Sequence, residues 1–214
     1  MSVQYLEDYQ RYKEDNDDDE LFYTYPRFVN HLDDSFRKRL TQLYRDKINV
    51  DNVVLDLMSS WTSHLPEEII YQRVVGHGLN LQELQRNNRL DSFWTQNFNV
   101  NQILPLEDNS IDTCLMVAAW QYLQYPEELS FELRRVIKEG GQLIVSFSNR
   151  AFWVKSPQVW VTSSDSERIN YVRQVLERQG WHSFETISER TSKKSFLPFK
   201  SLEGDPFFSV LAIN

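Results

Sequence analysis

The run Val53-Val54-Leu55-Asp56-Leu57-Met58-Ser59-Ser60-Trp61 places a carboxylate, a thioether, two hydroxyls and an indole at the end of an apolar, β-forming stretch. Such groups at the carboxyl end of a strand can hold a small polar ligand. A carboxylate meets an ammonium group, hydroxyls both donate and accept, and an indole stacks on a flat ring or a cation. Each residue has a plainer use too. Asp56 either orients the loop for a ligand or accepts hydrogen bonds from its own backbone. Ser59, Ser60 and Ser63 either cap a following helix or contact the ligand. Trp61 is either a stacking surface or a core wedge. A nucleotide-type ligand normally lies against a glycine-rich turn, because only glycine lets the backbone approach so closely. No glycine precedes Gly76 here. Gly76-His77-Gly78 offers a second, displaced place for close approach. His64 and His77 flank these loops, and a structural hydrogen bond is the commoner use of such a histidine.

Further polar groups follow later apolar runs. Trp120, Gln121 and Tyr122 come after one, and Asn149 and Arg150 after the next. In an open α/β sheet both loops face one crevice, so these five are acceptor-side candidates. Arg150 could hold an acidic group bidentately or form a surface ion pair. The aromatic segment from Phe22 to His31 is too apolar for a free tail and reads as a lid, with Tyr23, Arg27 and His31 facing the crevice. The histidines and carboxylates show no zinc spacing, so no metal is expected. Cys114 falls mid-strand and reads as core. Neither a Gly-x-Ser-x-Gly elbow nor a phosphate-binding loop with lysine is present.

The elements that must position these residues alternate. Asp33 or Asp34 caps a helix to about Lys47, with Phe36, Leu40, Leu43 and Tyr44 at helical spacing. Strands are predicted at Val53 to Leu57, Arg73 to Gly76, Ser92 to Phe98, Ile111 to Ala118 and Gln142 to Phe147. Helices are predicted from Pro66, from Leu79 to Asn87, from Pro126 to Lys138 with Gly140-Gly141 ending it, and from Asp165 to Gln179. Trp181 to Ser188 and Phe207 to Ile213 read as a final antiparallel pair. The acidic cluster Glu14 to Glu20 repels itself and is expected to be mobile and solvated. The chain thus divides into an acidic segment plus lid and helix, 1–48, and an α/β domain, 49–214. The fold class is α/β: a doubly wound, mainly parallel seven-stranded sheet with a C-terminal antiparallel strand pair.

Composition narrows the partners. The chain of 214 residues carries 23 basic and 31 acidic residues, a formal charge of −8. That disfavours nonspecific nucleic-acid binding and an anionic membrane surface. No run approaches the ~18–20 apolar residues that span a bilayer. Met1 to Glu20 is polar and acidic, unlike a signal peptide, and a lone cysteine excludes an internal disulfide. A cytoplasmic protein acting on a small molecule is the expectation, with the oligomeric state left open.

From Val53 to Asn214 the order and spacing resemble the class I S-adenosylmethionine-dependent methyltransferases, type 11 in particular. Leu104-Pro105-Leu106-Glu107-Asp108-Asn109-Ser110-Ile111-Asp112 resembles the family's LPF-x-DNSFD segment. Glu132 to Val145 resembles its L-R-VLKPGG-L-I helix-turn-strand, with Glu139 in place of proline. Leu55 to His64, and Phe22 to His31, are similar to a subgroup found in photosynthetic organisms. The resemblance implies a Rossmann-like methyltransferase fold, S-adenosylmethionine as cofactor, and cofactor contacts at Asp56, Met58, Ser59, Ser60, Gly78, Asn97 and Ala118. The first loop departs from the family's Asp-x-Gly-x-Gly-x-Gly, with Met58, Ser60 and Trp61-Thr62 where those glycines fall, and two cofactor anchors are also replaced. Gly78 stands where an acid holds the ribose hydroxyls, and Asn97 where an acid lies near the adenine. Methyl transfer to a small molecule is therefore one reading, and a non-catalytic ligand-binding or regulatory protein on the same scaffold is the other.

Overall fold

The computed structural model describes residues 1–193 and 202–214. The elements run α1 (Asp8–Arg11), α2 (Asp19–Phe22), α3 (Asp34–Lys47), β1 (Val53–Asp56), β2 (Arg73–Gly78), α4 (Leu81–Arg86), β3 (Ser92–Thr95), β4 (Ile111–Val117), α5 (Pro126–Val136), β5 (Ile137–Phe147), α6 (Gln158–Val161), α7 (Asp165–Arg178), β6 (His182–Glu189), β7 (Ser192–Lys193), β8 (Leu202–Glu203) and β9 (Phe207–Ile213). Seven strands form one sheet in the order β3-β2-β1-β4-β5-β9-β6. β1 pairs in parallel with β2 and β4, while β9 runs antiparallel to both β5 and β6. This is the expected doubly wound sheet with its antiparallel end.

Strand alternation splits the core between the two faces of the sheet. Leu55, Cys114 and Val145 face Leu129 and Leu133 of α5 and Val172 and Leu176 of α7. Val54, Leu115 and Ile144 face Phe36, Leu40 and Leu43 of α3. Asp33 caps α3 by accepting from Phe36 N at 2.9 Å, as its position predicts.

Three expectations fail for identifiable reasons. No helix follows Pro66. Ile69 N donates back to Pro66 O at 3.3 Å in a single turn, and β2 begins at Arg73. The few residues between cannot repay the nucleation of a helix. Gly140-Gly141 do not end α5, which stops at Val136. Asn214 Nδ2 takes the freed carbonyls of Arg134 and Ile137 at 3.0 and 2.7 Å. The glycines instead lie within β5, where Gly140 has φ +76° and a Cβ on Gly141 would sit 2.8 Å from Asp112 O. Finally, the acidic cluster is folded. Lys13 and Lys155, 1% and 2% exposed, pair with Asp19 and Asp15, both at 3.0 Å. Two buried ammonium groups remove the repulsion that a row of acids alone would suffer.

Residues before α3 begin by packing along α5 and α7, with Val3 N donating to Gln179 Oε1 at 2.8 Å. Leu6 enters the same core as α5 and α7, and its amide donates to Glu127 Oε1 at 2.8 Å. None of the described helices is long and apolar enough to cross a membrane.

Candidate functional site

The sheet order reverses between β1 and β4, and a crevice opens there at the carboxyl ends of the strands. Its volume is about 550 Å³. Small-molecule sites commonly fall between ~300 and 1,000 Å³. Met58, Ser59, Ser60 and Trp61 form one wall, Gly78 and Asn97 a second, and Ala118 the floor beyond β4.

The first loop does without glycine by donating its amides to the neighbouring strands. Leu57 N donates to Leu115 O at 2.9 Å, and Ser59 N to His77 O at 2.6 Å. Met58 N donates to His77 Nδ1 at 3.1 Å. Since Nδ1 accepts, the ring proton sits on Nε2 and is donated to Gln96 O at 2.8 Å. Burial pushes the His77 pKa down to about 4, so the ring is neutral and stays in this tautomer. It also stacks on Phe98 with centroids 4.0 Å apart. Met58 has φ 54° and Ala118 φ 49°, left-handed conformations at positions where glycine would be unstrained.

Asp56 lies behind this loop and not on the crevice wall. It is 1% exposed, and its carboxylate accepts from Ser59 Oγ at 2.6 Å and from Ser63. Burial pushes its pKa up to about 6. Asp56 ties the loop through two serine side chains, where its plainer reading expected backbone donors, and it does not meet the ligand space. Gly78 has its own steric reason: a Cβ there would lie 2.5 Å from Ser59 O. No acid can stand at that position while the loop keeps this course.

A carboxylate nonetheless reaches the same wall from α4. Glu83, 7% exposed, lines the crevice. Its Oε1 accepts from Arg27 N at 2.6 Å and its Oε2 from Ser60 Oγ at 2.5 Å. Asn80 caps α4 through Glu83 N at 3.0 Å and donates to Tyr23 O at 2.8 Å. Sequence reasoning missed both residues. The available signal was Asn80 followed by Glu83, the N-cap and N3 pattern of a capping box directly after β2. Here the glutamate turns away from its own helix and onto the lid.

The lid residues Tyr23, Arg27 and His31 all line the crevice, as do Gln121, Tyr122, Asn149 and Arg150. Trp61 lines it too and clamps the lid by donating from Nε1 to Val29 O at 3.2 Å. Burial and the charge of Arg27 lower the His31 pKa. Burial pushes Tyr122 up to about 12, and its hydroxyl accepts from Phe152 N at 3.1 Å. Arg150 pairs with Asp205 at 2.6 Å on the rim. Asn97 donates to Asp18 Oδ1 at 3.1 Å. Trp120 is the exception among the candidates: it is 1% exposed and packs in the core with Leu129 and Trp160. The 3₁₀ turn Trp120–Tyr122 points its indole inward and leaves its next two side chains to the crevice.

Comparison with known proteins agrees with this architecture. Residues 59–145 match the family described as a methyltransferase domain. No curated protein matches the sequence. Among solved structures, a SAM-dependent methyltransferase from Thermotoga maritima aligns with TM-score 0.60 at 17% identity, covering 84% of this chain and 89% of its own. One from Archaeoglobus fulgidus aligns with TM-score 0.58 at 12% identity, covering 83% and 94%. The [4+2]-cyclase SpnF aligns with TM-score 0.54 at 17% identity, covering 70% and 59%. At such identities the likeness is one of fold. The chain has the fold of these SAM-dependent methyltransferases, and its residues 59–145 match a methyltransferase domain.

Proposed function

We propose that the chain binds S-adenosylmethionine in this crevice and transfers its methyl group to a small-molecule acceptor. One observation carries the reading: about 550 Å³ remains open at the switch point between β1 and β4, although bulkier side chains replace the usual glycines. The residues present suit an adenosyl group by a changed donor set. Glu83 accepts one hydrogen bond on each oxygen, which leaves a lone pair on each for a diol. Asn97 and Phe98 offer a polar and a flat apolar surface beyond β3 for a base.

When bound, the cofactor supplies a methyl group on a sulfonium, an electrophile that needs alignment and dryness more than a protein nucleophile. The chain's own residues serve those two needs. Trp61, Val29 and Arg27 close the lid and exclude water. Tyr122, Asn149 and Arg150 line the acceptor side. His31, whose pKa is lowered by partial desolvation and by the charge of Arg27, lines the same side. The net charge of −8 favours a small molecule over nucleic acid or an anionic membrane. We place the chain with the subgroup whose first loop lacks glycine.

A second reading has its own observation. The Met58 and Ser59 amides donate to His77 and not into the crevice, so two loop donors that could hold a ligand are already used. A ligand-binding protein without catalysis would tolerate that. Titration separates the readings. S-adenosylmethionine and S-adenosylhomocysteine at micromolar concentration should raise the melting temperature and change tryptophan fluorescence through Trp61. Labelled methyl should then pass into small molecules of a metabolite extract. Binding without transfer favours the second reading, and no shift at millimolar ligand rejects the first.

A further inference from the structure

Six residues of the crevice wall are exposed: Val29, Asn30, His31, Asn149, Arg150 and Trp153. They fall on two segments, the end of the lid and the chain after β5. Arg150 Nη1 joins the two by donating to His31 O at 3.4 Å. These segments therefore form the mouth of the crevice. β5 stands three strand spacings from β2, or ~14 Å, and Glu83 follows β2. The mouth is thus the end remote from the proposed diol and base contacts.

Rings dominate this end. Phe152 takes His31 edge-on at 5.3 Å and Tyr122 stacked at 6.1 Å between centroids. Trp153 beside it is 43% exposed. One face of its indole is covered by the Arg168 guanidinium, 5.2 Å from the ring centroid. That cation is buried and fixed, donating to Asp165 at 2.8 Å and to Trp160 O at 3.1 Å. The turn that presents Trp153 is fixed as well. Lys155 in the same 3₁₀ turn is buried, pairing with Asp15 at 3.0 Å and donating to Asp17 O at 2.8 Å.

We infer that the mouth binds an aromatic ring of the methyl acceptor, stacked on the face of Trp153 that Arg168 leaves uncovered. The inference rests on the methyl-transfer reading and adds the acceptor's class. An indole held on a fixed turn offers a flat surface with little left to order on binding. Ring-on-ring contact contributes beyond the apolar area it buries, so an aromatic molecule gains more here than a saturated one of the same size. The side-chain amides of Asn30 and Asn149 at the mouth can donate to or accept from a hydroxyl on such a ring. The cofactor's adenine is the competing ring.

The test uses the full chain and its Trp153→Leu and Trp153→Phe variants. Calorimetry measures affinities for 2-naphthol, for its saturated counterpart decahydro-2-naphthol and for S-adenosylhomocysteine. The native chain should bind 2-naphthol about fivefold more tightly than decahydro-2-naphthol, with S-adenosylhomocysteine present or absent. Trp153→Leu should weaken 2-naphthol about 3- to 10-fold and leave the other two compounds unchanged. Trp153→Phe keeps a ring and should stay within about twofold of the native chain. Equal affinity of the native chain for the aromatic and saturated probes overturns the inference. So does native 2-naphthol affinity in a Trp153→Leu protein of native melting temperature. Loss of S-adenosylhomocysteine affinity in Trp153→Leu overturns it too, by giving the indole to the adenine. A native chain that prefers 2-naphthol but does not bind S-adenosylhomocysteine rejects the methyl-transfer reading instead and keeps the ring site.

Discussion

Beyond β4 the crevice is bounded by a short turn on the strand–helix–strand unit β4-α5-β5. Beyond β1 it is bounded by a long irregular crossover to β2, held together by polar contacts. The first side needs little from its loops, because α5 is fixed by Leu129, Leu133 and Val136 in the core. The second has no helix between β1 and β2, and its order depends on a few polar contacts. His77 accepts from Met58, Asp56 accepts from Ser59, and Glu83 accepts from Ser60 and from the lid. The contrast teaches that a ligand loop can lose its glycines if neighbouring strands supply acceptors for its amides. The space survives while its chemistry changes.

The largest effect is expected at His77. His77→Ala removes an acceptor for Met58 N, a donor to Gln96 O and a buried stacked ring. It should cost about 3–4 kcal/mol of stability and abolish adenosyl binding. Chemical denaturation measures the first and calorimetry the second. An equal loss from a buried polar change on the β4–β5 side, such as Ser146→Ala, would erase the contrast.

Glu83→Ala comes next. It frees Arg27 N and Ser60 Oγ together, and should cost about 2 kcal/mol and expose the lid to limited proteolysis between residues 20 and 31. A lid as resistant as the native one would show that Glu83 is not its latch.

Asp56 predicts an opposite sign. Its folded pKa is raised from 3.8 to about 6. The unfolded chain therefore loses this proton first as pH rises. The stability linked to the proton is fully present below pH 3.8 and is lost as pH rises through about 6. Asp56→Asn, which stays neutral, should be more stable than the native chain by about 1–3 kcal/mol at pH 7.5 and no more stable at pH 3.5. Melting temperatures across that range check it, and a variant destabilised at every pH contradicts it.

The smallest effect is expected at Arg150. Its side chain is 54% exposed and its partner Asp205, 7% exposed, keeps a second donor in Asp33 N at 2.8 Å, so Arg150→Ala should change stability by no more than ~1 kcal/mol. Any larger loss would mean that the β4–β5 side also depends on polar ties.

The same division governs what could be read from the residues. Helix α3, strand β4 and the β9 end were legible because their apolar spacing and caps act over a few neighbours. The lid's place over the crevice was legible from the aromatic character of Phe22 to His31. The role of Glu83 was not, because it depends on Arg27 docking from 56 residues away. Nor was the folded state of the acidic cluster, since Lys155 reaches it from beyond β5. Trp120 was misplaced because one 3₁₀ turn decides which of three adjacent side chains faces inward. Local pattern reports elements, and tertiary contacts decide which side chains face a ligand.

We propose that this rewritten loop still leaves an adenosyl site, with Glu83 as its diol-binding carboxylate. Calorimetric titration of S-adenosylhomocysteine into the native chain and into Glu83→Gln tests it most directly. One site of micromolar affinity in the native chain, weakened at least tenfold in the variant, is the expected result. Absence of heat at millimolar ligand, or equal affinity in the two proteins, would contradict it.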